Sequence, residues 1–125
     1  MRTQRSKSAF TLLEIMIVVA FIGLLAALAM PTFIKARKRS QGSRIVNDAR
    51  QIDLAVEGWA MEYAKRDGDA VDVPQAAQYT KSGTINPTDL LGNRFSIGPV
   101  GPTQVLVSVT TKSALNGVGV DWSPY

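Results

Sequence analysis

An uncharged stretch near the N-terminus constrains the fold of this chain more than any other feature. It runs for 20 residues from Ile15 to Ile34 and is almost wholly apolar. As a helix rising about 1.5 Å per residue, a segment of that length covers about 30 Å, the thickness of a bilayer's hydrocarbon core. A chain of 125 residues has too little other protein to surround such a helix in a soluble core. The stretch therefore predicts a helix that contacts lipid.

The positive charge of the chain is concentrated beside this stretch. The net charge is +4, yet residues 40–125 contain 7 basic and 9 acidic residues and carry a net charge of −2. This distribution favours contact with lipid headgroups over nucleic-acid binding, so no nucleic-acid partner is expected. The flanking cations are Arg2, Arg5 and Lys7 before the stretch, and Lys35, Arg37, Lys38 and Arg39 after it.

The chain lacks the residues that most often carry catalysis and bind metals. It contains no cysteine and no histidine, which removes the thiol nucleophile, the cysteine metal cage and the commonest general base at neutral pH. We therefore expect no enzymatic activity, no catalytic or cofactor-binding residues and no cofactor. Asp67, Asp69 and Asp72 cluster in a turn and raise the question of calcium. Their spacing differs from an EF-hand loop, so a solvated turn is favoured and no metal site is predicted.

The helical pattern continues beyond the uncharged stretch. Apolar residues recur at spacings of four and three, which predicts one continuous helix from about Phe10 to Lys65 with an amphipathic second half. Leu54 and Met61 lie off the apolar stripe, and the stripe itself requires a cover. Its members are Ile45, Ala49, Ile52, Val56, Trp59 and Tyr63.

The C-terminal part is expected to supply that cover as a small sheet. Three short segments alternate apolar and other residues with a period of two, and turn-forming residues separate them. We predict an α+β fold in which an antiparallel sheet of about three strands lays one apolar face on the helix stripe. The three segments are Phe95–Ile97, Val105–Thr110 and Val118–Trp122.

One acid, Glu14, immediately precedes the uncharged stretch. A charged side chain at mid-bilayer costs about 2.5–3.5 kcal/mol on insertion scales, so such a residue raises a functional hypothesis. Near the end of the span the carboxylate could instead reach the headgroup layer. Position alone leaves both interpretations open.

The residues around Glu14 carry a resemblance. The segment AFTLLEIMIVVAFIGLLAALAMP, behind a short basic leader, closely resembles the N-terminal signature of type IV pilins and of type II secretion pseudopilins. The resemblance covers roughly residues 5–35. It implies a leader at residues 1–9, a transmembrane and filament-core helix at 10–34, and an extracytoplasmic head at 35–125.

The resemblance also implies roles for individual residues. A prepilin peptidase would cut between Ala9 and Phe10, and the new amine of Phe10 would be N-methylated. Glu14 would face the Phe10 amine of a neighbouring subunit in a filament, because a buried cation is tolerable only beside an anion. Gly23 and Pro31 would bracket a stretch that loses helicity on assembly, although Pro31 could equally make an ordinary kink.

The implied protein is a non-enzymatic filament subunit of the bacterial inner membrane. It would cross the membrane once with its N-terminus in the cytoplasm, and then enter a homo-oligomeric filament with related minor subunits and an inner-membrane assembly platform. Adhesive or motile pili and secretion pseudopili share these features. Two alternatives are an exported binding module, since Ala27-Leu28-Ala29 resembles a signal-peptidase site, and a protein held by an uncleaved anchor.

Overall fold

The computed structural model describes residues 10–125. Over this range the chain forms a long helix followed by short elements, and a small antiparallel sheet lies near the C-terminus, which confirms the α+β fold. The elements are α1 (Leu12–Glu62), α2 (Val73–Ala76), a 3-10 helix (Ala77–Tyr79), β1 (Ser96–Ile97), β2 (Val105–Leu106) and α3 (Val109–Ala114).

The chain divides into two compact units, one ending at Lys35 and the other comprising Ala36–Tyr125. In the first unit, every side chain from Phe10 to Lys35 is exposed. The second unit, which we call the head, contains the whole buried core. The helix α1 contributes residues to both units.

The buried face of α1 is the apolar stripe predicted from the sequence, with one exception. Ile45, Ala49, Val56 and Trp59 are almost completely buried, and Ile52 is nearly so. Tyr63 is 53% exposed, because the helix ends just before it. Leu54 and Met61 point to solvent, as their positions off the stripe predict. The stripe is covered by residues from the rest of the head, namely Ala76, Phe95, Val105, Val107, Leu115 and Tyr125.

The helix ends at Glu62, three residues before the expected Lys65. Ala64 has a positive φ of 48°, and Lys65 donates its backbone N–H to the Ala60 carbonyl at 2.8 Å. The Ala64 N–H reaches the Met61 carbonyl at 3.3 Å, so the two bonds form a Schellman motif. Alanine occupies the left-handed position where glycine is usual, so the turn-forming residues from Lys65 onward predicted the end of the helix slightly too late.

The sheet has two strands rather than the predicted three within residues 10–125. Strands β1 and β2 pair antiparallel, with Ser96 opposite Leu106 and Ile97 opposite Val105. The first predicted strand is therefore essentially correct, and a separate isolated bridge pairs Thr88 with Arg94.

The second predicted strand is too long. It was expected to continue to Thr110, but Ser108 accepts a hydrogen bond from the Thr110 N–H at 3.2 Å and begins α3. Helix formation then places Thr111 and Leu115, one turn apart, against the core, and it leaves Val109 exposed. A capping residue has overridden the alternating pattern.

The third predicted strand, Val118–Trp122, is wrong. Gly117 and Gly119 have φ values of +76° and +74°, which lie in the left-handed region and are incompatible with an extended strand. The segment nevertheless contributes to the core, since Val118 and Trp122 pack against it. Val120 lies so close to Gly42 of α1 that a methyl group at Gly42 would overlap its side chain.

Candidate assembly site at the start of the long helix

The first turn of α1 is held by Thr11. Its Oγ1 accepts a hydrogen bond from the Glu14 N–H at 3.2 Å, and its carbonyl accepts from the Glu14 and Ile15 N–H groups at 3.1 and 3.3 Å. Thr11 is therefore the N-cap, and Glu14 occupies the third helical position. The Thr-x-x-Glu spacing is the sequence signature of a capping box, a signal that the sequence analysis overlooked.

Glu14 consequently has a local role besides any role in assembly. An acid in the first turn interacts favourably with the partial positive charge of a helix N-terminus, typically by about 0.3–1 kcal/mol. The carboxylate is exposed. Phe10 lies outside the helix and is 77% exposed. Both groups are thus accessible to a second molecule in the isolated chain.

The other predicted assembly residues are spread along α1. Gly23 follows Glu14 by nine residues and Pro31 by seventeen, so at about 1.5 Å per residue they lie roughly 14 and 26 Å further along the axis. The structure does not bring them together. A Cβ atom at Gly23 would meet nothing within 4 Å, so packing inside the chain does not require glycine there. Ala9 lies outside the described residues.

Large apolar side chains line the described part of the first unit, residues 10–35, and face outward. They include Leu13, Ile17, Phe21 and Leu25, each 48–67% exposed. Within residues 10–125, α1 is the helix long and apolar enough to cross a membrane. None of its most apolar 18-residue segment is buried inside the chain. Exposure of apolar area on this scale marks a surface that lipid or another protein covers.

The comparisons with known proteins agree on the class of relative. The chain is 43% identical over 61 residues to the type IV major fimbrial protein FimA of Dichelobacter nodosus, a match that covers 49% of this chain and 38% of that protein. It is 40% identical over 58 residues to a fimbrial protein of Pseudomonas aeruginosa, with 46% and 38% covered. The matches thus span about two fifths of the length of these fimbrial relatives.

A longer match is to a protein of the type II secretion system. The type II secretion system core protein G of Escherichia coli is 29% identical over 107 residues, with 76% of this chain and 74% of that protein covered. These similarities support the resemblance of the chain to type IV pilins and pseudopilins. The search of family models and the search of solved structures each returned no match. The similarity to pilins and the long apolar helix fit a membrane-anchored subunit.

Two of the three clustered aspartates of the head, Asp69 and Asp72, serve as local caps. Asp69 Oδ2 accepts from the Arg66 N–H at 2.9 Å, and Asp72 Oδ1 accepts from the Gln75 N–H at 3.1 Å and caps α2. Among the residues that the structure describes, no group of three or more acidic side chains is arranged to hold a metal ion. Backbone capping is a sufficient explanation for this turn chemistry.

A buried acid elsewhere in the head escaped the sequence analysis. Asp89 is 8% exposed, and its Oδ1 accepts from the Leu91 and Asn93 N–H groups, both at 2.9 Å. Its Oδ2 accepts from the Thr111 hydroxyl, which in turn accepts from Asn93 Nδ2 at 3.0 Å. These bonds fasten the turn around Asp89 to α3. The Asn-Pro-Thr-Asp sequence signalled a turn, but not the burial of its acid.

Tyr79 is held against the end of α1. Its ring covers Gly58, and a hydrogen bond to the Glu62 carboxylate raises the pKa of Tyr79 to about 12, with further contributions from burial and from the negative charge of Glu62. The neutral phenol is the form that donates this bond. The packing of the Tyr79 ring on Gly58 ties the 3-10 helix to α1.

Proposed function

We propose that the chain is a non-enzymatic structural subunit of a type IV pilus-like or type II secretion pseudopilus filament. The observation that carries the proposal is the part of α1 that lies in the first unit. It is an exposed apolar helix that bears a single acid, Glu14, in its first turn. Packing such helices side by side would bury the apolar surface outside the membrane as effectively as lipid does inside it. The fimbrial and secretion relatives support the same assignment.

Processing would create the partner of Glu14. Hydrolysis of the Ala9–Phe10 peptide bond by a prepilin peptidase releases the leader and leaves an ammonium group on Phe10, which is then N-methylated. In a filament this cation would be removed from water and would need a nearby anion. Glu14 of a neighbouring copy is accessible and can provide that anion, so the pair would fix the axial register between subunits.

A charge-specific variant tests this role. Glu14→Gln keeps a side chain suited to the third position of a capped helix but removes the negative charge. The variant should insert and be processed normally, yet its incorporation into filaments should fall by at least tenfold in a sheared-filament assay. Thr11→Ala controls for loss of the helix cap, and Glu57→Gln removes an exposed acid of the head. Normal filament yield from Glu14→Gln would refute the register role.

The mature mass tests the processing step and separates the alternatives. Intact mass spectrometry of the membrane-extracted protein should give a chain that starts at Phe10 and carries one added methyl group. A start at Met30 would instead support an exported module with an ordinary signal peptide. A chain that retains Met1 in the membrane would support an uncleaved anchor.

Gly23 and Pro31 would give the helix a segment that loses helicity as the filament forms. Proline removes one helical hydrogen bond and glycine has low helix propensity, so the segment between them is the least costly part to unwind. Helix-to-coil conversion between these residues can be measured by comparing amide hydrogen exchange in micelles and in filaments. Equal protection in both states would contradict this role.

The secretion pseudopilus is favoured between the two kinds of filament. The secretion relative aligns with 76% of the chain, including part of the head, whereas the fimbrial relatives align with less than half of it.

The expected partners are further copies of this chain, related minor subunits, the prepilin peptidase and the inner-membrane assembly platform. The N-terminus would be cytoplasmic and the head extracytoplasmic. Deletion of the gene should abolish secretion rather than surface motility or adhesion.

A further inference from the structure

Three consecutive cations lie where the helix leaves the apolar stretch. Arg37, Lys38 and Arg39 belong to α1, and all three are exposed. We call these three residues the basic collar. The uncharged stretch ends at Ile34, so at about 1.5 Å per residue the collar begins roughly 4–5 Å beyond it. That depth falls within the headgroup layer of a bilayer whose hydrocarbon core is filled by residues 15–34.

The head leaves this part of the helix bare. Every side chain from residue 36 to residue 40 is exposed, and the buried face of α1 begins only at Gly42. The collar therefore does not serve the fold of the head. Lys35, at the end of the first unit, shares a face with Lys38 and Arg39 at spacings of three and four, whereas Arg37 projects to the other side, so the cations of this segment are not confined to one face of the helix.

The angular distribution of the collar indicates what surrounds it. Consecutive residues of a helix are separated by about 100°, so the three side chains project in three directions over about 200° of the circumference. A neighbouring protein would contact one side of the helix and leave at least one cation unmatched. A layer of lipid headgroups surrounds the helix and can reach all three.

The position of the collar also carries a topological cost. Cations on the extracytoplasmic side of a span oppose the positive-inside tendency that orients membrane proteins. In the proposed orientation these residues compete with the leader cations Arg2, Arg5 and Lys7. A binding role on the outer side accounts for their presence there.

We propose that the basic collar binds the phosphates of anionic phospholipids in the extracytoplasmic leaflet and holds the unassembled subunit at a fixed depth. This inference rests on the proposed membrane insertion of residues 15–34. Each cation near an anionic surface strengthens binding on the order of fivefold at low salt, and screening reduces the effect as ionic strength rises.

The test uses the full chain in detergent micelles. Phosphatidylglycerol and phosphatidylcholine are added in equal amounts, and the bound lipids are counted by native mass spectrometry. The wild type should retain phosphatidylglycerol on the order of fivefold or more over phosphatidylcholine, with the ratio falling as salt is added. The triple variant Arg37→Gln, Lys38→Gln, Arg39→Gln should retain the two lipids about equally. Equal retention by the wild type would overturn the proposal.

A matched variant controls for net charge. Arg50→Gln, Arg66→Gln and Lys81→Gln remove three exposed cations of the head, and this protein should keep the wild-type lipid ratio. Loss of the ratio here as well would show that overall charge, and not the collar, selects the lipid. A zero-length crosslink in native membranes between Lys38 and a carboxylate of a second copy would identify a protein occupant and also overturn the proposal.

Failure of the membrane span is distinguished separately. The full chain is reconstituted in vesicles of phosphatidylcholine alone and floated after an alkaline carbonate wash. Protein that sediments would refute the membrane insertion on which the collar proposal rests. Protein that floats, but shows no preference for phosphatidylglycerol in micelles, would refute the collar and leave insertion intact.

Discussion

Replacement of Trp59 by alanine is the strongest single test of the core. The side chain is 1% exposed and lies near the C-terminal end of the stripe that the rest of the head covers. Truncation of a buried tryptophan to alanine typically costs about 3–5 kcal/mol, through lost transfer free energy and the cavity left behind. We expect Trp59→Ala to lower the free energy of unfolding of the head by an amount in that range.

Packing rather than hydrogen bonding should account for most of this loss. The indole Nε1 donates to Gln75 Oε1 at 3.0 Å, but Gln75 is exposed and water can replace the indole as its partner. Trp59→Phe, which removes the donor and keeps an aromatic ring, should therefore cost much less than alanine.

Urea unfolding of the segment Ala36–Tyr125, followed by far-ultraviolet circular dichroism, measures these differences. Tyr63→Ala is the informative control, because the sequence pattern placed Tyr63 on the same stripe whereas the structure leaves it half exposed. It should cost about 1 kcal/mol or less. A Trp59→Ala head within about 1 kcal/mol of wild type, or a Tyr63→Ala head as unstable as Trp59→Ala, would refute the description of the core.

Three further substitutions test separate contacts. Gly42→Ala should destabilise the head by about 1 kcal/mol in urea, because overpacking outweighs the gain in helix propensity; a more stable variant would contradict the close approach. Thr111→Val preserves the shape of the side chain but removes the hydroxyl donor to the buried Asp89, so the free energy of unfolding should fall by about 1–3 kcal/mol. An unchanged free energy of unfolding would contradict the importance of this hydrogen bond. The raised pKa of Tyr79 means that its contribution to stability is complete below pH 10 and is lost as the pH approaches about 12. Ultraviolet titration should show one tyrosine ionising near pH 12, and Glu62→Ala should lower that value towards 10.

The sequence predicted the helix and its buried face well because both depend on a strong local signal. Spacings of three and four identify the stripe, and five of its six members are buried. The exception, Tyr63, follows from where the helix stops. That point depends on Ala64 adopting a left-handed conformation, which alanine rarely does and which composition does not reveal.

The sheet was harder to predict because short alternating runs are ambiguous. Val105–Thr110 alternates as a strand would, but the Ser108 side chain caps a helix and ends the pattern. Val118–Trp122 alternates too, yet two glycines in left-handed conformations shape it into an irregular segment that covers α1. Such choices are made by tertiary packing and capping rather than by periodicity.

The two acids Glu14 and Asp89 differ in how clearly the sequence identifies them. Glu14 was singled out because an acid beside an apolar span is costly, and its local environment adds the Thr11 cap to that argument. The buried Asp89 gave no comparable signal, because burial of an acid in a turn depends on Thr111, 22 residues away in the chain.

The apolar stripe of α1 is covered by residues that come much later in the same chain. Ile45 and Leu115, for example, lie in the same core although they are far apart in sequence. If the head is translocated as proposed, this half of the helix is amphipathic and has no protein over it while the chain is still emerging beyond the bilayer. Amphipathic helices adsorb to membrane surfaces. The newly translocated subunit should therefore rest along the bilayer before its head closes, and conditions that delay closure should prolong that adsorbed state and its exposure to proteases.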